Sequence, residues 1–271
     1  SGPTGQQSSV FMRGTNSNHT LVLLNGIPIN DLSTPTGAHD VGQDFMFNVV
    51  QIDVYKGSAG AHWGADAVGG AINFRTTVDY EKSLNVSGNG NDQTINGNYY
   101  TKINDFDISV SAGQHESENV SALSGADEKD GVENKSITLN VINWFNEHLK
   151  FKSTLFTRNT LADIDGHSLA LQEGFDSDNS LFAFQSGLEF IERDSHSHLT
   201  LHTHQHDREY NSPNNEFDNY ESESYVVKGE HKKTKSDQFV YGLGFEYKYD
   251  DATFDNKGSY NSSLNGNYDN I

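Results

Sequence analysis

Cysteine is absent from this 271-residue chain and proline occurs only four times. Without cysteine there is no disulfide framework and no thiolate metal site. Basic residues are also scarce: 18 Lys and Arg stand against 38 Asp and Glu, for a formal net charge of -20. Such a chain has no excess cation to displace counterions from phosphates, which excludes nucleic acid as a partner. No run approaches the ~18 consecutive apolar residues of a membrane-spanning helix. Hydrophobic residues make up 34%, fewer than in an ordinary soluble domain. Low hydrophobicity with high charge is the signature of disorder, but disordered chains are poor in aromatics, and this one holds 12 Tyr and 16 Phe. The class that remains is a β-protein in which every second residue meets water. A closed β-barrel belongs to it, and satisfies its backbone in lipid with no long apolar run.

Also missing are a nucleophile-elbow Gly-x-Ser-x-Gly and any carboxylate pair set in an apolar pocket. An enzyme is therefore not expected. The chain opens at Ser1 without a starting methionine, and Ile271 falls inside a strand-like run. Both ends read as cut, so a signal peptide and flanking segments are expected to lie elsewhere.

What is present changes character near Thr76 to Tyr80. Before that point the chain is apolar and Gly-rich, with β-like runs at Thr20 to Leu24, Gln51 to Tyr55 and Ala71 to Thr76. After it, period-two alternation dominates. In Phe239 to Asp250 the odd positions are Phe, Tyr, Leu, Phe, Tyr and Tyr, and the even ones are mostly small or charged. Phe106 to Ala112, Ile137 to Val141, Leu149 to Leu155, Phe182 to Phe190 and Ser197 to Leu201 follow suit. Short links (Asn104-Asp105, Asn146 to His148, Arg193-Asp194, Ser236-Asp237) alternate with long polar ones (Ser117 to Asn134, Thr160 to Asn179, Asp207 to Asn219). Outer-membrane barrels show this asymmetry between their two ends. A soluble sandwich also alternates, but its second face is less polar than this one.

Two stretches in the first part are more specific. Met12 to Asp31 reads MRGTNSNHTLVLLNGIPIND, and Val54 to Phe74 reads VYKGSAGAHWGADAVGGAINF. Leu21 to Leu24 suits a buried strand, and Asn25-Gly26 suits a tight hairpin whose two central residues need positive φ. Gly69-Gly70 carries no following Lys-Ser/Thr, so a phosphate-cradling loop is not indicated. In order and separation these stretches resemble the plug domain of TonB-dependent outer-membrane receptors, the vitamin B12 and siderophore group in particular. Ser58, where a proline is frequent, and Gln51-Ile52-Asp53 depart from the pattern; the glycine skeleton does not.

The resemblance implies a mainly β protein. Its α+β plug would span residues 1–78 and the first part of a transmembrane antiparallel β-barrel residues 79–271. Nine or ten strands would be about half or less of the ~22 in family barrels. It also implies active uptake of a scarce metal chelate or corrinoid across the outer membrane of a Gram-negative bacterium, driven through TonB, with outer-membrane lipid around the barrel and no required cofactor. The Ton box would precede Ser1. Substrate contacts would come from the plug apices, at Asp31, Ser33, Thr34, His39 and Trp63, unless these are ordinary loop residues. Arg13 and Arg75, charged in otherwise apolar plug strands, would latch onto barrel-wall glutamates, unless they are solvated in a wet lumen.

Two metal readings remain. His196, His198, His202, His204 and His206 all have even numbers and share one face of a strand. Neighbours on that face lie ~7 Å apart, so His198, His202, His204 and His206 form a candidate lumen-facing metal site. The plainer reading is a polar wall. Asp127, Asp130, Asp163 and Asp165 in acidic links form a candidate Ca²⁺ site, against solvated loop charge. The rival for the whole chain is a secreted or surface β-rich carbohydrate-binding protein.

Overall fold

The computed structural model describes residues 4–34, 36–44, 47, 49–57, 63–78, 80–118, 129–164, 174–213, 217–236, 239–256 and 262–270. Two sheets are present. The first is built from β1 (Thr20–Leu24), β2 (Ile27–Pro28), β3 (Gln51–Lys56) and β4 (Gly70–Arg75), in the order β2-β1-β4-β3. β1 runs parallel to β4, and the other pairs are antiparallel. The β1–β2 hairpin turns on Asn25 (φ 52°) and Gly26 (φ 85°), both in the left-handed region that this dipeptide tolerates. All five residues of β1 are buried. Val22 and Leu24 pack one way, and Leu21 and Leu23 the other, against Ala67 and Ala71 with Tyr55 and Trp63.

The second sheet holds ten antiparallel strands in sequence order. They are β5 (Ser83–Gly88), β6 (Asp92–Ile103), β7 (Phe106–Glu118), β8 (Gly131–Trp144), β9 (Leu149–Ile164), β10 (Phe175–Ile191), β11 (Ser195–Asn211), β12 (Phe217–Ser236), β13 (Phe239–Asn256) and β14 (Ser262–Asn270). Short connections lie at one end, and the β6–β7 turn carries Asn104 at φ 53°. Strand parity sorts the side chains. Asn134, Ser136, Thr138, Arg158, Thr160, His204 and Ser224 turn inward and are buried, while Ile137, Phe182, Phe190, Leu199, Leu201, Phe245 and Tyr247 turn outward and are exposed. Phe245 lies over Gly229 of the neighbouring strand, where any side chain would collide with its ring.

The strands outrun their hydrophobic alternation. β10 and β11 have 17 residues each and β12 has 20, where ~9–11 suffice to cross a bilayer. The surplus lies at the long-link end. The polar stretches expected as links there continue as strand to Glu118, Ile164 and Asn211, and resume at Gly131, Phe175 and Phe217. Polar residues occupy both faces of the surplus, so the outward alternation fades while the hydrogen-bond ladder continues.

The first sheet sits against the inner face of the second. Val22, Leu24 and Ile29 join Phe156, Leu181 and Ala183 in one buried cluster, with Phe74 alongside.

Candidate functional site

The contact between the two sheets is charged at one end and neutral at the other. Toward the long links, Arg158 of β9 reaches Asp44 (Nη1 to Oδ1, 3.0 Å) and donates from Nη2 to Asn179 Oδ1 at 3.0 Å. Arg208 of β11 donates to Asp31 Oδ2 at 2.7 Å, and Ser222 of β12 donates to Asp31 Oδ1 at 3.3 Å. All four charged side chains are buried, those of Arg158 and Asp44 to 2% and 4% exposure. A guanidinium so placed requires its carboxylate, because the cost of burying either charge alone is several kcal/mol.

His39 completes the network. Its Nδ1 lies 2.8 Å from the Ile29 carbonyl and its Nε2 2.5 Å from Asp44 Oδ2. Both partners only accept, so both ring nitrogens carry protons and the ring is an imidazolium. Burial opposes that charge, but Asp44 outweighs it and holds the His39 pKa above the ordinary value. Burial likewise opposes ionisation of Asp44 and Asp31. His39 and Arg158 reverse this for Asp44, and His206 with Arg208 for Asp31, leaving both carboxyls below their usual range. The Ile29 carbonyl also accepts from His206 Nε2 at 3.1 Å.

Toward the short links the contacts are uncharged. Asn25 donates to Thr76 Oγ1 (2.7 Å) and Thr154 Oγ1 (3.3 Å). Asn140 Oδ1 accepts from Thr76 and Thr154, and its amide donates to the Thr77 carbonyl at 3.0 Å.

The expected substrate set is divided by this geometry. Asp31, Ser33 and His39 are buried. Ser33 donates to Asp31 Oδ1 at 2.6 Å, and Thr34 donates to the Asp31 carbonyl at 3.0 Å. Asp31 secures the first sheet's connecting segment to the wall through Arg208 and Ser222, and Ser33 and Thr34 brace it. Trp63 is at the other end, tilted on Tyr55 at 5.8 Å. It borders a cleft of about 720 Å³ that also meets Lys150, Lys152, Glu189, His196 and His198.

The latch expected at Arg13 and Arg75 is corrected in polarity. Arg75 pairs with Asp53 across β3–β4 at 2.5 Å, within the first sheet. Its parity is that of Ala71, opposite to Ile72 and Phe74, so it turns away from the wall. Arg13 has φ 52° in a turn closed by Thr15 N to Met12 O, and its guanidinium lies beside Gly57. The observed latch reverses the roles: arginines from the wall, carboxylates from the first sheet's connecting segment. Sequence reasoning missed Arg158 and Arg208, though their inward parity among Thr, Asn and His residues was a usable signal.

His198 to His206 do face inward, but His206 is engaged with Ile29, and among the described residues no three His, Asp or Glu side chains gather as a metal-ligand set. Of the candidate Ca²⁺ ligands, Asp127 and Asp165 lie outside the described residues. Asp130 is buried, and Asp163 accepts from Gly131 N at 3.0 Å. Gly69-Gly70 is filled by protein: a side chain at either would overlap Thr15 or the Tyr55 carbonyl.

Comparison with known proteins agrees with this arrangement. Residues 1–71 match the family model of the TonB-dependent receptor plug domain. The vitamin B12 transporter BtuB of Vibrio vulnificus (strain YJ016) is 45% identical over 75 residues, which cover 28% of this chain and 12% of that protein. The siderophore receptor PiuA of Acinetobacter baumannii superposes with a TM-score of 0.69 at 16% identity, over 98% of this chain and 43% of that one. A mutant of the ferric enterobactin receptor PfeA of Pseudomonas aeruginosa gives 0.73 at 14% identity, over 94% and 47%. The unliganded ferric citrate transporter FecA gives 0.68 at 14%, over 95% and 44%. At these identities the structures speak for the fold. The chain spans less than half the length of each.

Proposed function

We propose that this chain, whose first 71 residues are a TonB-dependent receptor plug domain, serves as the plug and part of the barrel wall of a receptor for active nutrient uptake. The receptor sits in the outer membrane of a Gram-negative bacterium and takes up a scarce metal chelate or corrinoid. One observation carries this reading. A plug sheet is docked on the polar face of a ten-stranded antiparallel sheet whose opposite face is apolar and aromatic. A passive pore has no reason to fill its lumen, and a soluble carbohydrate binder has no reason to expose Phe182, Phe190, Leu199, Leu201, Phe245 and Tyr247 on one face. The apolar face fits lipid, and the polar face a wet lumen.

On this reading substrate arrives at the long-link end, above the charged latch. TonB pulls on the plug from the other side, supplying energy from the inner-membrane gradient. No resident cofactor and no catalytic group are required. Cobalamin and ferric siderophores are the substrate classes that the matched proteins suggest. The test is uptake by cells expressing the full-length gene product. Accumulation of a radiolabelled chelate or cobalamin should stop when TonB is deleted, while surface binding persists. A product that fractionates as soluble, or uptake indifferent to TonB, refutes the proposal.

A further inference from the structure

The outward face of β11–β13 changes charge from one end to the other. Residues directly opposed across neighbouring strands share a face. Near the long links the opposed sets are Asp207, Glu221 and Thr253, then Gln205, Glu223 and Asp251. β10 adds Asp178 beside Glu209. Among the described residues of these strands, no Lys or Arg stands on this face between Tyr225 and the long links. An exposed apolar band follows, from Tyr225 through Leu201, Leu199 and Phe245 to Leu243. Toward the short links the opposed sets become Ser197, His231 and Leu243, then Ser195, Lys233 and Tyr241. Lys235, also exposed, sits in the bulge between Thr234 and Ser236.

These basic groups are open to a ligand. Among the described residues Lys233 Nζ meets one carboxylate, Asp194, at 3.9 Å between two exposed side chains, and Lys235 meets none within 4 Å. The exposed His231 is braced at Nδ1, 2.8 Å from Ser197 Oγ. Tyr241, exposed and directly across from Lys233, offers an apolar ring with a hydroxyl at its tip. Such a ring suits the boundary between hydrocarbon and headgroups. A lysine suits it too, laying its stem on apolar surface while its ammonium reaches the phosphates.

We propose that His231, Lys233, Lys235 and Tyr241 bind the headgroup of an anionic phospholipid in the leaflet at the short-link end. The headgroup is one whose phosphodiester carries no compensating amine. This rests on the receptor reading above, which places the apolar band in lipid, and it names a partner for the wall. The two ammonium groups attract a net anion, whereas a zwitterionic headgroup brings an ammonium of its own that they repel. Carboxylates at the long-link rim repel the same anion, so that rim serves as a control within one face.

The test uses the full-length gene product in vesicles of equal parts phosphatidylglycerol and phosphatidylethanolamine. The protein is extracted in mild detergent and its retained lipids are counted by native mass spectrometry. Phosphatidylglycerol should be retained over phosphatidylethanolamine by about tenfold or more. Lys233→Gln with Lys235→Gln should release the tightest-held phosphatidylglycerol and lower the preference by about fivefold or more. Glu221→Gln with Glu223→Gln alters the net charge by the same amount in the opposite sense and should leave the preference unchanged. Three results overturn the inference while leaving the receptor reading intact: equal retention of the two lipids, a lysine-pair variant that behaves as wild type, or a glutamate-pair variant that shifts the preference as far the other way. A product that fractionates as soluble overturns both.

Discussion

The upper and lower ends of the plug are held by different chemistry. Above, Arg158, Arg208 and the His39 imidazolium meet Asp44 and Asp31 in a buried network. Below, Asn25, Thr76, Thr77, Asn140 and Thr154 exchange neutral hydrogen bonds. Between them lies the apolar patch around Phe156 and Leu181. Neutral hydrogen bonds are worth ~1 kcal/mol each and re-form with water at little loss. A buried ion pair adds little over an apolar contact, yet breaking it by removing one partner is expensive. The upper end thus behaves as a switch that is fully made or costly to break, and the lower end as a contact that can slide. On the proposed receptor reading, a plug that must hold against leakage and yet yield to a pull would use both properties.

The contrast can be broken from either side. The largest effect is expected at Arg158→Ala, which leaves Asp44 Oδ1 and Asn179 Oδ1 without their buried donor and should cost ~3 kcal/mol or more of plug docking. Denaturant titration of plug proteolysis in the purified full-length protein reads it. Phe156→Ala comes next, leaving a cavity in the apolar patch at a cost of ~3 kcal/mol or more by the same assay. A docking loss there no greater than that of a lower-end variant would mean the apolar patch contributes nothing beyond hydrogen bonds.

pH sharpens the contrast. Asp31 and Asp44 have lowered pKa values, so their contribution is complete above the unfolded value of ~3.9 and disappears as pH falls through the native values below it. The pKa of His39 is raised, so its contribution is complete below ~6.5 and fades as pH rises through the higher native value. His39 and the two carboxyls therefore contribute together between about pH 4 and 6.5. His39→Gln should flatten the alkaline limb and leave the acid limb in place. A flat profile in the wild type would place the latch outside the docking energy. Among these variants the smallest effect is expected at the lower end. Asn140→Ala removes three neutral bonds and should cost ~1–3 kcal/mol, with no added pH dependence.

The legible parts of this structure are those encoded locally. The Asn25-Gly26 hairpin, the buried β1 and the inward–outward sorting of β7 to β13 follow from dipeptide chemistry and period-two alternation. β6 was not singled out, because its outward positions Gln93, Ile95, Gly97, Tyr99, Thr101 and Ile103 are apolar at only half of their places, which dilutes the alternation against Asp92, Thr94, Asn96 and Asn98. Strand ends were misplaced for the same reason, since polar rims look like links. The latch was illegible in another way. Its pairs join residues 114 and 177 apart in the chain, and each arginine found its carboxylate only once the register of β9 and β11 was set. Charge in the plug's own strands drew attention to Arg13 and Arg75, but parity turned Arg75 outward from the wall and a left-handed turn claimed Arg13.

The account stands most directly on a double-mutant cycle between Arg158→Met and Asp44→Leu in the full-length protein, read as the free energy of plug release. If the wall arginine and the plug carboxylate hold each other, the double variant will be more stable than the sum of the single losses by about 2 kcal/mol or more. Strictly additive losses would show that the two side chains act independently and that the plug is fastened elsewhere.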